Sequence, residues 1–486
     1  MLQLVVGVAL LAAIAVLTWL RLRRDRARHD GSAQDVFLAG GRLSWPFVAG
    51  SITLTNLSTD QLVGMNGNQM LLLAWWELSG FFGLLILAFV FVPVYYRARC
   101  TTVTELLERR YGGRSIRTLI SALFLFGAVL IYLPAGLYSG ALFLRSAVGG
   151  EVPLLAWAAG LGVVAAAYCM LGGLRAVAIM ETYAGVGVLA IALLIVALAL
   201  AAVDFDITAG VPRERLTMIG AADSPIPFHT LFTGMIFIQI YYWSTNQPIT
   251  QKAMAAPNVR EAQKGVLAAA AIRILIIPAI VVIPGVVAYQ LFGDIGDVAY
   301  GRLVAEVLPP WLTGAFAAMI AAAVIAHTAA VLNATVALYA VDFHARFVAP
   351  VADYRRLAAI VSAVLTASSV ALVPVFAGAD SIINLLQQLN GLFSMPILSA
   401  FVVGLLFRGV AAGAAVTGVL WGVALYATFS FWLEPAGLTR LHYIDFMVVT
   451  LATSIAAALL SNRWLFGRRA VWTGWRGLTG DRLIDG

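Results

Sequence analysis

The stretch 51-SITLTNLSTDQLVGMNGNQM-70 gathers Asn56, Ser58, Thr59, Asp60 and Gln61 inside an otherwise apolar run. The chain around it is 486 residues long, 62% hydrophobic and only 11% charged, with a mean hydropathy of +0.92. A soluble domain carries roughly a quarter of its residues charged, so the composition is that of an integral membrane protein. Every polar group inside hydrocarbon has to be satisfied within the protein. Five adjacent polar residues at membrane depth therefore need a structural or functional reason.

Long apolar windows recur at about 4–20, 45–68, 71–96, 118–148, 153–171, 176–203, 230–246, 265–292, 311–341, 357–377, 381–407, 410–433 and 443–461. Most reach the roughly 20 residues that a spanning helix needs, so an all-α polytopic bundle of about thirteen helices is expected. Arg21, Arg23, Arg24, Arg26 and Arg28 follow window 4–20, whereas a secretion signal carries its charge in front; the window reads as a retained helix with its N-terminus outside. Threading the chain from there puts 25 of the 31 Lys and Arg residues on cytoplasmic segments. Arg145, Arg213, Arg215, Arg302 and Arg440 fall outside, and Arg273 falls within a helix. That is the positive-inside pattern of a multi-pass plasma (inner) membrane protein with a cytoplasmic C-terminus.

The net charge of +7 is spread over loops and tail, which argues for topology and against a nucleic-acid partner. Cys100 and Cys169 are the only cysteines and suggest neither a disulfide framework nor a zinc site. No GxxxxGK[ST], HExxH or GxSxG motif occurs, so neither an intramembrane enzyme nor an organic cofactor is expected. No linker divides the chain, and 101-TTVTELLERRYGG-113 should form a short amphipathic helix at the interface. Ser58-Thr59-Asp60-Gln61 has an echo in Ser244-Thr245-Asn246-Gln247, five helices further on. Many transporters are inverted repeats whose first helices break near the midplane, where substrate binds.

An ionisable group in the bilayer costs at least ~2.5 kcal/mol, and the candidates are few: Asp60 with Gln61, Glu77, Glu181, Arg273 and His327. Asn56, Gln239, Tyr241, Tyr242, Gln387, Gln388 and Asn390 would support them. At 1.5 Å per residue Gln61, Arg273 and His327 lie about 20, 12 and 24 Å along their helices, too deep to snorkel. Arg273 would either lock helices through a buried pair with Glu77 or Glu181 or serve a polar cavity offering donors and acceptors to a polyhydroxylated solute. Glu181 would equally pair with Arg175. Tyr241, Tyr242, Trp75 and Trp76 could cover such a solute's apolar faces, but ordinary packing or an interfacial belt suits Trp75 and Trp76 better. His327 follows 315-AFAAMIAAAVIA-326, which offers no polar partner, so its partner must come from another helix.

The stretches 53-TLTNLSTDQLVGMNG-67, 241-YYWSTNQPITQKAMAA-256, 283-IPGVVAY-289 and 331-VLNATVALYAVDF-343 resemble the solute:sodium symporter family, above all its sodium/sugar branch, in order from about residue 36 to 430. The resemblance implies a five-plus-five inverted-repeat core at 43–407 with broken first helices, preceded by an extra helix and basic loop at 1–42 and followed by further helices and a tail at 408–486. It implies symport of a sugar-like solute held by Gln61, Glu77, Gln239, Arg273 and Gln387, with Tyr242 as inner gate. Gln239 stands where the family usually has Asn, Arg273 where the bacterial sodium/galactose relative has Lys, and 68-NQMLLLAWWE-77 is about three residues short by that comparison. Glu77→Ala or Gln61→Ala is expected to weaken solute binding with little loss of folded protein.

By the same resemblance a sodium ion would sit between the carbonyls of Leu54, Leu57 and Ala323 and two serine hydroxyls. Those serines are replaced here by Ala326 and His327. A hard cation wants oxygen ligands, and both hydroxyls are gone. Just inside, Met180-Glu181 stands where the family often has Thr-Asp. An imidazolium would fill the volume and carry the charge of a bound sodium. Sodium, a proton or no coupling ion at all remain open, as does a membrane solute sensor working through a partner docked on the tail 462-NRWLFGRRAVWTGWRG-477. The partners expected are a small polar solute, sodium or a proton, and membrane lipid.

Overall fold

A computed structural model describes residues 2–25, 31–57, 59–148, 152–378, 382–439 and 441–474. A backbone in lipid can bond only to itself, and the apolar windows accordingly become helices. In order they are α1 (Leu2–Asp25), α2 (Ala33–Leu38), α3 (Trp45–Asn56), α4 (Thr59–Gly67) and α5 (Trp75–Ile86), the last running through a π-helical turn to Ala98. The short α6 (Val103–Tyr111) precedes α7 (Arg114–Gly127), which passes through a π-helical segment, Ala128–Tyr132, into α8 (Leu133–Val148). Then come α9 (Leu154–Ala202), α10 (Gly234–Ser244), α11 (Gln247–Met254), α12 (Val259–Leu275) and α13 (Ile277–Phe292). The chain ends with α14 (Pro310–Leu338), α15 (Tyr354–Leu372), α16 (Ile382–Leu406), α17 (Ala412–Thr428) and α18 (Tyr443–Trp464). A two-residue strand β1 (Phe407–Arg408) pairs antiparallel with β2 (Val471–Trp472).

Ten described helices are long and apolar enough to cross a membrane. The other hydropathy windows differ for identifiable reasons. Residues 154–170 form a shorter apolar helix, the first half of α9, which breaks at Gly173 (φ +54°, ψ −153°). A Cβ there would lie 2.4 Å from the Val36 carbonyl oxygen, so the turn requires glycine. Window 45–68 is interrupted between α3 and α4, at the polar cluster, and window 230–246 ends at Thr245 before the chain resumes as α11. Asn246 is extended (φ −80°, ψ 126°) and Pro248 occupies the first turn of α11, where its missing N–H is harmless. Both interruptions thus coincide with the echoed tetrapeptides.

The centre of the bundle is α14, whose Ala322, Ala323, Ala326 and Ala329 are buried. These small side chains let it pack closely on α9, α8 and α1. On one face of the bundle α6 forms as its amphipathic pattern predicts, burying Val103, Leu106 and Leu107. Its Glu105 and Glu108 meet Arg117, which also holds the fully buried Asp342. Glu108 receives Arg346 as well, with Nη1 donating at 2.9 Å. Burial alone would push the Glu108 carboxyl up, but Arg346 and Arg117 outweigh it and hold the group below the usual carboxylate range. A depressed carboxyl stabilises above its unfolded value, near ~4.3 for Glu, and that contribution is lost as pH falls. Thermal unfolding of Glu108→Gln should therefore vary less with pH below that point than wild type; an identical acid slope would refute the assignment.

Candidate functional site

The two interruptions border one cavity. Asn56 and Gln61 enter it from the first break, Tyr241 and Tyr242 from the last turn of α10, Trp76 and Glu77 from α5, Arg273 from α12, His327 from α14, and Leu386 and Asn390 from α16. Glu77 is fully buried and forms an ion pair with Arg273, which is only 4% exposed. The Gln61 amide donates to the other Glu77 oxygen at 2.8 Å. In the Asn56 amide orientation that satisfies its surroundings, the oxygen accepts from Arg273 Nη1 at 3.0 Å and from Gln61 Nε2 at 2.7 Å, and the nitrogen donates to the Tyr242 hydroxyl at 2.9 Å. The Arg273 guanidinium lies over the Trp243 ring, 4.2 Å from its centroid. Its buried Nε has no hydrogen-bond partner. A Cβ on Gly80 would come within 2.9 Å of that nitrogen, so glycine lets α5 approach this closely.

The expected solute residues do not all present themselves alike. Gln61, Glu77, Tyr242 and Arg273 converge as one polar wall. Gln239 borders the cavity, but its amide nitrogen donates to the Trp76 carbonyl (2.7 Å) and Ser79 Oγ (2.9 Å), and its oxygen accepts from Trp243 Nε1 (2.9 Å). It holds α5, α10 and the tryptophan under Arg273 in place. The side chains of Gln387 and Asp60 lie outside the described residues, while Gln388 donates to Glu434 at 2.8 Å and Asn390 accepts from the Tyr132 hydroxyl. Trp76 lines the cavity rather than a belt, and Trp75 donates to the Met218 carbonyl at 2.7 Å.

At the ion-site positions, Leu54, Leu57, Ala323 and Ala326 are buried. His327 finds its partner on another helix, as expected: Nδ1 lies 2.7 Å from the Thr55 carbonyl oxygen of α3. A carbonyl only accepts, so Nδ1 carries the hydrogen and Nε2 is left on the side of Gly136, which also lines the cavity. The hydroxyl of the same Thr55 reaches Glu181 Oε1 at 2.7 Å, and Ser51 donates to Oε2. The partner of Glu181 is not Arg175. Lys252 of α11, fully buried, donates to both carboxylate oxygens at 2.6 and 2.8 Å and to the Ser51 carbonyl at 3.2 Å. Lys252 is one of the 25 basic residues that the charge pattern assigns to cytoplasmic segments, and the structure corrects that assignment: the 230–246 window stops at the break, but the helix resumes beyond it and carries Lys252 into the core.

The model of the sodium:solute symporter family matches residues 36–422. The chain belongs to that family. This symporter-family protein is 31% identical over 479 residues to an uncharacterized symporter, YidK, of Escherichia coli K12, covering 94% of the chain and 82% of the relative. It is 29% identical to the sodium/glucose cotransporter of Vibrio parahaemolyticus, covering 93% and 90%, and 26% identical to mouse sodium/myo-inositol cotransporter 2, covering 93% and 75%. Its fold matches the solved structure of a Na+-coupled sialic acid symporter with a TM-score of 0.79 over 95% of the chain and 98% of that structure, at 18% identity.

Three features of this symporter-family site escape a reading of residue types alone. Trp243 stands four residues after Gln239, a spacing that places the two side chains on one helix face and would have flagged their contact. Lys252 carries a weaker signal, a lone cation between Ile249 and Met254. Tyr132, one helical segment away from any polar cluster, carries none.

Proposed function

We propose that the protein is a secondary active symporter of a neutral, sugar-like polyhydroxylated solute, sitting in the plasma (inner) membrane with its N-terminus outside and its C-terminus cytoplasmic. The observation that carries this is the Asn56, Gln61, Glu77, Arg273 and Tyr242 constellation beside two broken helices. One carboxylate and one guanidinium cancel in charge, yet supply acceptors and donors of the kind that replace water around hydroxyl groups. The sodium/glucose and sodium/myo-inositol cotransporters among the relatives support the solute class. The transport core would span 43–407, with 1–42 and 408–486 as additions.

The family favours sodium as the coupling ion, which would be carried between the Leu54, Leu57 and Ala323 carbonyls. A second reading has its own support: with Nδ1 committed to the Thr55 carbonyl, His327 offers Nε2 as a proton acceptor where the family presents a serine hydroxyl. The Glu181 carboxylate, surrounded by Lys252, Ser51 and Thr55, is already neutralised without an added cation. Uptake of a sugar panel into proteoliposomes under separately imposed sodium and pH gradients decides between the two. Ala326→Ser combined with His327→Ser returns both hydroxyls and should create or strengthen sodium dependence while removing any response to a pH gradient. Unchanged ion dependence in that double variant would show that these positions do not form the ion site, and absence of uptake of any polyol or sugar under either gradient would sink the symporter reading.

A further inference from the structure

A second cavity, of about 880 Å³, shares no lining residue with the solute site. It lies between α1, the first half of α9 and α15, with α2 at one end; Leu22, Val164 and Tyr168 are among its apolar walls, and Trp19 stands at its rim. This volume is at the upper end of the roughly 300–1,000 Å³ that ligand sites occupy. Left empty, such a gap would forfeit the dispersion contacts of its whole lining. Two of its lining residues, Val163 and Val164, are 64% and 42% exposed, so its apolar wall runs out onto the surface that faces acyl chains.

The polar end of the cavity is lined by Asp35 and Arg355, and Arg23 and Arg356, which flank lining residues in sequence, tip the balance of charge there to positive. Arg355 lines it, pairs with Asp35 at 3.3 Å, and keeps 55% of its side chain exposed. Arg23 lies 4.5 Å over the Trp19 ring, an arrangement that suits the headgroup level of a bilayer. Arg356 adds another cation one residue from Arg355, while Asp353 is occupied in capping α15, accepting from the backbone N–H of Arg355 and Arg356 at 2.9 and 3.1 Å. These arginines sit on the face that the positive-inside bias assigns to the cytoplasm, where anionic lipids concentrate and basic pockets between helices bind their headgroups. An apolar chamber with cations at its interfacial mouth fits a molecule with acyl chains and a phosphate.

We propose that this cavity binds one anionic phospholipid, its chains between α1, α9 and α15 and its phosphate at Arg355. The lipid would tie α1 to the rest of the bundle, and the proposal stands or falls independently of the transported solute. The test is native mass spectrometry of the full chain extracted from vesicles of equal phosphatidylglycerol and phosphatidylcholine. The expected result is one phosphatidylglycerol retained per chain in preference to phosphatidylcholine. Ala167→Phe, which fills the chamber from α9, should abolish retention, and Arg355→Gln should lower the preference for phosphatidylglycerol about fivefold, the effect of one basic group at a lipid surface. Equal retention of the two lipids by wild type would overturn the proposal. So would a free fatty acid or free phosphate as the retained species, wild-type retention by a folded Ala167→Phe, or an unaltered preference in Arg355→Gln.

Discussion

Arg273→Met should lower the stability of the purified protein by about 3–5 kcal/mol, because removing one member of a buried ion pair strands the other charge. Here the stranded group is Glu77, fully buried and left with the Gln61 amide as its remaining hydrogen-bond donor. Adding Glu77→Gln should recover most of that loss, since a neutral amide of the same shape fits the site without a counter-charge. Solute uptake should stay abolished in both variants, because the wall facing the solute has lost its charged donor and acceptor. Thermal unfolding in detergent, alongside uptake in proteoliposomes, separates the effects. Restored uptake in the double variant would make the pair a helix lock and nothing more. The geometry also revises the expectation for Glu77→Ala: it leaves the Arg273 guanidinium uncompensated over Trp243, so folded protein should fall together with binding. Gln61→Ala, which removes no charge, remains the cleaner probe of binding.

An effect of similar size is expected at the second buried pair. Lys252→Met leaves the Glu181 carboxylate with only the Ser51 and Thr55 hydroxyls, and should again cost about 3–5 kcal/mol. Lys252→Met with Glu181→Leu replaces the pair by apolar groups of similar size, a change that is often neutral or stabilising, and should unfold near the wild-type temperature. If the single substitution were as stable as wild type, Glu181 would not carry a charge balanced by Lys252. Comparing sodium dependence in the double variant with that of wild type then reports on the ion site, because Thr55 joins this pair to His327 through one residue, hydroxyl on one side and carbonyl on the other.

Both pairs mark where reading the chain residue by residue stops. The amino acids by themselves determined that this is a helical membrane protein, where its apolar windows lie, and that Gln61, Arg273 and His327 sit too deep in lipid to be incidental, because the cost of inserting an unpartnered polar group is set by its type and depth. The polar cluster at 56–61 and its echo at 244–247 coincide with the two helix interruptions for the same reason: freed carbonyls and polar side chains at membrane depth have to satisfy one another. The tertiary structure decided the partners. Glu77 rather than Glu181 meets Arg273, Lys252 rather than Arg175 meets Glu181, and Gln239 turns its amide nitrogen toward α5. Those choices depend on which helix faces come together across 71 to 196 residues of sequence, and hydropathy is blind to them. A lysine six residues past a helix break looks juxtamembrane until the next helix carries it back into the core, because burial is a property of packing and not of composition.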